Sequence, residues 1–234
     1  SFEMGDHFGE GSGDGRELPV HTVTLDGFYM DKTEVTVGQF KAFLADSGYS
    51  WGGSWNEVDE YSPSDGYPMN NVTWDDAVAY AEWAGKGLPT EARWEKAARG
   101  GLDQKRYPWG DEFTPKGKHQ CNIWQGKFPD NNTGEDGYLW TAPVKSFPTN
   151  GFGLHNASGN VWEWTADWFH PTWRQSAGNK NPTGPSKGTE KVIKGGSFLC
   201  HDSYCNRYRP GARTRNTPDS STSHTGFRLA YDKA

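Results

Sequence analysis

Cysteine is scarce in this chain. Only three of its 234 residues are cysteines, far fewer than in small secreted scaffolds that depend on disulfides. No apolar stretch approaches the ~20 residues that a membrane span needs. Basic runs and basic helix faces are also missing, and the formal net charge is -6. The sequence therefore excludes a disulfide-stapled scaffold and a membrane span, and it argues against nucleic acid as the main partner.

Hydrophobic residues are also sparse. They make up 33% of the chain, yet aromatic residues reach 15%, with 12 tryptophans, so a few large rings must supply much of the buried area. The 30 glycines and 14 prolines favour loops over long helices. The length fits one domain that can bury a sizeable core. We expect a soluble, irregular, loop-rich α+β domain over residues 1–234, with little regular secondary structure.

Three short helices are predicted from their capping residues. A threonine at the N-cap and a glycine after the last turn mark each one. The helices are expected to follow Thr36, Thr73 and Thr90 and to end before Gly48, Gly85 and Gly100. The side chains predicted to face inward are Phe40, Phe43, Leu44, Ala77, Tyr80, Ala81, Ala84, Trp94, Ala97 and Ala98. In the third helix, the four-residue spacing of Glu91 and Glu95 is typical of solvated charge on an exposed face.

Short strands and loops account for the remaining sequence. Strand-like runs occur near residues 21–25, 28–30 and 191–194, and the glycine-rich residues 9–15 are interpreted as a surface turn rather than a calcium loop. Residues 48–69 show no periodicity and are predicted to form a long loop, which in a compact domain is usually functional or mobile. Trp51 and Trp55 in this loop are interpreted as a local packing pair.

Two of the three cysteines lie in one chemically dense segment, with a glycine pair before them and alternating arginines and tyrosines after them. This segment runs from Gly195 to Arg209 and contains Cys200 and Cys205. A thiol pair at this spacing can form a short-loop disulfide, supply half of a zinc site, hold Cu(I) as two thiolates, or be buried without chemistry. Zinc is disfavoured because only Cys121 and His201 are available as further ligands. The residues alone leave the other three alternatives open.

A second group of polar residues lies in glycine- and asparagine-rich segments between residues 119 and 165. Its members with side-chain oxygens suited to a hard cation are Asn122, Asp136, Asn156 and Glu163. No EF-hand spacing is present, so the residues alone favour ordinary turn residues over a calcium site.

The segment from Gly195 to Arg228 resembles the C-terminal part of the formylglycine-generating enzymes, the sulfatase-modifying factors. The resemblance extends over nearly the whole chain and implies the family's fold, which is related to C-type lectins. The matching motifs are Tyr29-Met30-Asp31-Lys32-Thr33-Glu34-Val35-Thr36, Gly85 to Glu95, Gly159-Asn160-Val161-Trp162-Glu163-Trp164-Thr165, Gly195 to Arg209, Arg213, Asn216 to Ser220 and Gly226-Phe227-Arg228. The opening residues 1–5 resemble the middle of a family strand, so we expect the natural N-terminus to be missing.

This resemblance implies an enzyme that uses copper and O2 to convert a cysteine in a sulfatase Cys-x-Pro-x-Arg motif to Cα-formylglycine. Cys200 and Cys205 are expected to hold Cu(I). Ser197 and Tyr204 are expected to position O2 or the substrate thiol. The residues assigned to substrate binding are Trp162, Arg207 and Arg209. The two arginines either keep the thiolates ionised or form surface salt bridges, and the sequence favours neither alternative.

The resemblance also implies two calcium ions. The first is expected to be bound by the side chains of Asn122 and Asp136 and by the carbonyls of Ile123 and Tyr138. The second is expected to be bound by the side chains of Asn156 and Glu163 and by the carbonyls of Gly159 and Val161. Ions that bind only the folded state stabilise a loop-rich domain.

The expected partner is a peptide or an unfolded sulfatase, without nucleic acid or membrane, and the protein is expected to be a monomer. Animal members of the family carry paired structural cysteines at positions that match Ala81, Ala98, Pro210 and Leu229 in this chain. Their absence favours a bacterial-type cytoplasmic protein, although export remains open because the natural N-terminus is expected to be missing.

Two alternative functions remain. One is a non-catalytic binding module or paralogue on the same fold, which would have no reason to keep both cysteines. The other is a related oxygenase that acts on a different thiol. The known iron-dependent oxygenases on this fold need a separate helical domain with a histidine-rich motif, and no such motif is present here. The 48–69 loop is shorter than in the best-known members, which bears on the substrate more than on the fold.

Overall fold

The computed structural model describes residues 1–11, 13–175 and 178–233. Within these ranges the α-helices are α1 (Val37–Ser47), α2 (Trp55–Tyr61), α3 (Trp74–Trp83) and α4 (Glu91–Arg99). The strands are β1 (Phe2–Met4), β2 (His21–Val23), β3 (Phe28–Met30), β4 (Gly126–Lys127), β5 (Asn131–Asn132), β6 (Trp162–Trp168), β7 (Lys191–Lys194), β8 (Thr214–Asn216), β9 (Thr225–Gly226) and β10 (Ala230–Asp232). The predicted irregular, loop-rich α+β fold is confirmed. None of the helices formed by these residues has the length and apolar character to cross a bilayer.

A four-stranded sheet in the order β8-β7-β6-β9 lies at the centre. Strands β6 and β7 are antiparallel, with Glu163 opposite Lys194, and β6 and β9 are parallel, with Trp162 opposite Thr225. The first four residues of β6 and all of β7 are buried. Strand β7 ends at Lys194, so the sheet leads the chain directly into the Gly195–Gly196 pair that precedes the cysteines.

The three predicted threonine-capped helices are confirmed. In α1, the side chain of Thr36 accepts a hydrogen bond from the Gln39 amide at 3.1 Å, and the Gln39 side chain accepts one from the Thr36 amide at 2.9 Å. This reciprocal pair satisfies two amides that the helix itself leaves unpaired. Thr73 caps α3 in the same way, and Thr90 caps α4. The glycines after α1 and α4 adopt the left-handed conformation that favours glycine.

Large aromatic rings fill much of the core, as the composition predicts. Phe40 and Phe43 from α1 meet Tyr80 from α3, with ring centroids 5.3–6.0 Å apart. The ring of Tyr80 in turn lies 5.3 Å from that of Phe227. Each such pair contributes about 0.5–1.5 kcal/mol beyond the area it buries. These contacts fix the first and third helices against the chain that follows the cysteine segment.

The prediction of an uninterrupted loop over residues 48–69 is wrong, because helix α2 forms within it. This helix has only seven residues, and Val58 is its buried side chain. Two turns with one buried residue give no detectable apolar period. The interpretation of Trp51 and Trp55 as a local packing pair is confirmed, since their ring centroids lie 4.8 Å apart.

The interpretation of Glu91 and Glu95 as solvated charges is also wrong. Their carboxylates are buried because distant parts of the chain bring cations to them. Arg174 donates to both glutamates, at 2.9 and 3.1 Å. We call the full group of paired side chains the buried ion-pair network. Its members are Asp6, Glu17, Glu91, Glu95, Arg99, Arg174, Lys194, Arg209 and Arg213.

Candidate active site

Cys200 and Cys205 form a disulfide, with their Cα atoms 4.9 Å apart. Both residues are buried, with 1% and 6% of their surface exposed. The turn that joins them is closed by hydrogen bonds from the Cys200 amide to the Ser197 carbonyl (2.9 Å) and from the Cys205 amide to the His201 carbonyl (2.6 Å). Among the alternatives left open by the residues, the structure shows the disulfide. It places the two sulfur atoms together, as joint binding of one ion would also need.

The glycine pair before the cysteines permits close packing of the backbone. Gly195 and Gly196 have φ values of 92° and 73°, which L-residues with a side chain rarely adopt. A Cβ atom on Gly196 would lie 2.9 Å from the Cα atom of Tyr208. The Gly195 carbonyl accepts a hydrogen bond from the Gly159 amide at 2.8 Å. The turn before the cysteines is therefore held against the start of β6 on one side and the chain after Cys205 on the other.

Two exposed aromatic side chains, Tyr204 and Trp140, lie at the cysteine segment. Tyr204, between the two cysteines, is 69% exposed and stacks on Phe128 with a centroid distance of 5.1 Å. Phe198, just before Cys200, contacts the ring of Trp140 at 5.9 Å, and Trp140 is 46% exposed. Exposed apolar rings that are grouped in this way are typical of a surface that binds an extended or apolar partner.

The other residues assigned to the site from sequence lie deeper. Ser197 is fully buried, and its hydroxyl accepts a hydrogen bond from the Leu199 amide at 3.3 Å. Trp162 is buried in the same hydrophobic cluster as both cysteines. Arg207 is partly buried, which lowers its pKa, and it donates to the Thr214 hydroxyl at 3.2 Å. Tyr204 is thus the assigned side chain most open to solvent.

Arg209 forms salt bridges with acidic residues, as one alternative predicted, but they are buried and not at the surface. Its side chain is buried and pairs with Glu17 at 3.0 Å and with Asp6 at 3.4 Å. The sequence predicted that the Arg209 guanidinium could face the thiolates. In the structure it is instead paired with the carboxylates of Asp6 and Glu17. These acidic partners lie about 200 residues away in sequence, and no local pattern indicated them.

The residues of the first predicted calcium site lie close together. Asp136 accepts hydrogen bonds from the amides of Tyr138 (2.9 Å) and Ile123 (3.1 Å) and from the Gln125 side chain (2.8 Å). The Asn122 side chain donates instead to the Trp140 carbonyl at 2.8 Å. The segments around Asn122 and Asp136 are therefore adjacent. The Asp136 carboxylate, predicted to bind calcium, accepts hydrogen bonds from N–H groups.

The residues of the second predicted calcium site surround a buried carboxylate that the sequence analysis missed. Glu34 is fully buried and accepts hydrogen bonds from Asn156 (3.1 Å) and Asn160 (2.9 Å). Burial raises the pKa of Glu34 to about 7; Arg228 opposes this effect and Glu163 reinforces it. Glu163 itself accepts hydrogen bonds from Arg228 and Trp94. Two carboxylates are thus buried near each other with one guanidinium between them.

Asn156 and Asn160 complete this group. In the described part of the chain, the Oδ1 atom of Asn156 is buried and has no hydrogen-bond partner. A buried amide oxygen without a partner is costly. The Oδ1 atom of Asn160 accepts from the Asn122 side chain (3.1 Å) and the Ala142 amide (2.8 Å), so Asn160 links the two predicted calcium groups. Its position in the Gly159–Thr165 motif was the one sequence signal for it.

Cys121 is a buried free thiol, as expected from the sequence. Burial raises its pKa, and the charge of Asp136 raises it further. A buried thiol with a raised pKa is a poor nucleophile. Cys121 is therefore poorly suited to reactive sulfur chemistry.

Comparisons with known proteins identify the family and the fold of this chain. The chain matches the family model described as the sulfatase-modifying factor enzyme 1-like domain over residues 1–233. It is 48% identical to the formylglycine-generating enzymes of Thermomonospora curvata and Streptomyces coelicolor; each match covers 99% of this chain, with 91% and 86% of the relatives. The structure of PvdO from Pseudomonas aeruginosa superposes with a TM-score of 0.82 at 27% identity and covers 99% of this chain and 91% of PvdO. By the match of its sequence to the family model and by its close relatives, this chain belongs to the sulfatase-modifying factor enzyme family.

Proposed function

We propose that this protein is a formylglycine-generating enzyme. It oxidises a cysteine in a peptide or unfolded sulfatase, within a Cys-x-Pro-x-Arg motif, to Cα-formylglycine. The observation that carries the proposal is the Cys200–Cys205 pair, which lies among exposed aromatic rings on a chain 48% identical to enzymes of that name over nearly its whole length. A non-catalytic module of this fold would not need two sulfur atoms held together beside such a surface.

The residues present fit a copper ion. Reduction of the disulfide frees two sulfur ligands from one short turn, and soft thiolates in low coordination suit Cu(I). When bound, copper supplies the one-electron chemistry that lets O2 react with a thiol. The buried position of both cysteines keeps water away from the sulfur atoms, and the closed turn between Ser197 and Cys205 fixes their separation.

The chain's own residues bind and orient the substrate. The exposed ring of Tyr204, stacked on Phe128, offers an apolar surface beside the cysteines for the substrate's proline. The Ser197 hydroxyl is buried with the cysteines, and we assign it to holding the substrate thiol or O2 when the substrate reaches them. The substrate cysteine loses one hydrogen from its β-carbon and one from its sulfur to give a thioaldehyde, which water converts to an aldehyde with release of hydrogen sulfide. Complete reduction of O2 to water takes four electrons, so a thiol reductant supplies the two that the substrate does not.

Incubation of the protein with copper, O2, a thiol reductant and a synthetic Cys-x-Pro-x-Arg peptide is expected to produce the aldehyde peptide, measured by mass spectrometry as loss of the thiol group. The matched control is a peptide with serine in place of cysteine, which should remain unchanged. If the cysteine peptide also remains unchanged with the reduced, copper-loaded protein, the proposed activity is wrong.

Calcium fits the second predicted site better than the first. The unpartnered Asn156 oxygen and the buried carboxylates of Glu34 and Glu163 are hard oxygen ligands. A cation among them would satisfy the free amide oxygen and offset the repulsion between the carboxylates. We therefore add Glu34 to the proposed ligands Asn156, Gly159, Val161 and Glu163. A calcium ion at Asn122, Ile123, Asp136 and Tyr138 stays a prediction.

Removal of calcium is expected to destabilise the protein. Chelation with EDTA should lower the melting temperature, and added Ca²⁺ should restore it, because an ion at about a thousand times its Kd adds about 4 kcal/mol. For a domain of this size the shift is on the order of 10 °C, which calorimetry can measure.

The variant Glu34→Gln removes one proposed ligand charge and should greatly reduce the calcium-dependent shift. The matched control is Glu57→Gln on α2, where the glutamate is exposed; its shift should equal that of the parent protein. Equal melting temperatures in EDTA and in Ca²⁺ would contradict a structural calcium ion.

A further inference from the structure

A small cavity lies at the edge of the buried ion-pair network. Its volume is about 10 Å³, roughly enough for one particle of the size of a water molecule. Four basic side chains line it, Arg99, Lys105, Arg106 and Arg209, and among the described residues the acidic lining consists of Asp6. Both carboxylate oxygens of Asp6 already accept hydrogen bonds, from the backbone amides of Phe8 and Gly11. The wall of this cavity is therefore rich in positive charge and donors.

Two nitrogen atoms at the cavity have no partner in the described part of the chain. The Nε and Nη2 atoms of Arg99 donate to Glu95, and Nη2 also donates to the Gly5 carbonyl at 2.8 Å. The Nη1 atom is buried without a hydrogen bond, and so is the Nε2 atom of His7. The Arg99 side chain is only 3% exposed. An unpaired guanidinium N–H at that depth is costly.

The charge of the network also favours an anion. Among the described residues it contains five buried cations, Arg99, Arg174, Lys194, Arg209 and Arg213, against the four carboxylates of Asp6, Glu17, Glu91 and Glu95. Buried Asp167 and Lys191 add one charge of each sign. The rim pairs Glu10–Arg106 and Asp111–Lys105 cancel as well. Each of the five buried cations pairs with a carboxylate, but in this set the cations outnumber the carboxylates by one, so the surroundings of the cavity are net positive.

We propose that this cavity binds one monatomic anion, of which chloride is the abundant example, through Arg99 Nη1 and His7 Nε2. A water molecule would satisfy the same two nitrogens but would not offset the excess charge. Chloride is somewhat larger than water, and the side chains of Lys105 and Arg106 are 46% and 36% exposed, so the wall can adjust. Burial and the nearby Arg99 charge lower the pKa of His7, which leaves a neutral ring that can donate through Nε2.

The bound anion joins parts of the chain that are distant in sequence. Residues 5–8 follow β1, Arg99 ends α4, and residues 209–211 follow the cysteine segment. The anion therefore ties the segment after Cys205 to the helix that carries the network. Its binding should stabilise the fold without any contact to the cysteines, so this inference is independent of the proposed function.

Thermal melting in sodium chloride and in sodium gluconate at equal ionic strength tests the site. Chloride at about ten times its Kd should raise the melting temperature by about 4 °C. The shift should vanish in Arg99→Lys, which keeps the charge beside Glu95 but loses the second donor group. It should also vanish in His7→Leu, which tests the site independently if the first variant folds poorly. The matched control is Arg93→Lys on the same helix, where the arginine pairs with exposed Asp232.

Crystals grown in sodium bromide give a direct test of occupancy. Bromide should produce an anomalous scattering peak between Arg99 and His7. Equal melting in chloride and gluconate, together with no bromide peak, would mean that water occupies the cavity and would overturn the proposal. A chloride-dependent shift that persists in both variants would place the anion elsewhere and would overturn it as well.

Discussion

Formation of formylglycine should fall by on the order of 10³-fold or more when either Cys200 or Cys205 is changed to serine, as is typical when one member of a catalytic unit is removed. A hydroxyl is a hard, weakly acidic ligand and does not replace a thiolate on Cu(I). The two cysteines close one short turn, so they act as a unit. We therefore expect the double variant to lose no more activity than either single variant, measured as aldehyde peptide formed per minute.

The third cysteine provides the control. Cys121→Ala removes a buried thiol that is not part of the pair, and its activity should stay within a few-fold of the parent. Binding of Cu(I) should follow the same order, with about one ion per chain in the parent and in Cys121→Ala and none in the serine variants. Single variants that retain most of the activity, or losses that multiply in the double variant, would show that the two sulfur atoms do not serve one centre.

Local signals explain which parts of the fold could be predicted. Each threonine cap and each terminal glycine acts on backbone groups within about four residues of itself, so the ends of α1, α3 and α4 are visible in the sequence. Helix α2 was missed because its two turns bury little besides Val58. The environment of Glu91 could not be predicted, because Arg174 and Arg213 reach it from 83 and 122 residues away. The sequence alone does not distinguish an exposed pair of glutamates at i and i+4 from a buried one.

The candidate site also has one part that the sequence predicts and one part that only the fold reveals. The cysteine pair, its glycines and Tyr204 span eleven residues, so the sequence predicts them as one group, and the family motif rather than their spacing implies a chemistry for them. Glu34 was missed, although it belongs to a motif that matches the family. Its proposed role depends on Asn156, 122 residues further on, and becomes visible only when the fold brings the two side chains together. Oxygen ligands that come from distant loops form no local sequence pattern. The two thiols are five residues apart and can be recognised together.

Replacement of Glu91 by glutamine should destabilise the protein by about 3–5 kcal/mol at pH 7, because it leaves buried cations without their counter-charge. The carboxylate of Glu91 contacts Arg174 at 2.9 Å and Arg213 at 2.8 Å. Burial alone would raise the pKa of Glu91, but these guanidiniums and Lys194 overcome that effect and lower it to about 2. Urea denaturation of the parent and of Glu91→Gln measures the loss, and Glu82→Gln, on the exposed surface of α3, should change stability by less than about 0.5 kcal/mol.

The pH dependence separates charge from packing in this prediction. The pKa of Glu91 is about 2 in the folded protein and near 4.3 in an unfolded chain, so the unfolded state binds the extra proton between these values. The stability that the carboxylate provides is thus fully present above about pH 4.3 and is lost as the pH falls through about 2. The difference between the parent and Glu91→Gln should shrink over that window, by about 3 kcal/mol for a shift of this size. A difference that stays constant from pH 7 to pH 3 would mean that glutamine fails to fit the site for reasons of shape, and that the buried cations do not need this carboxylate.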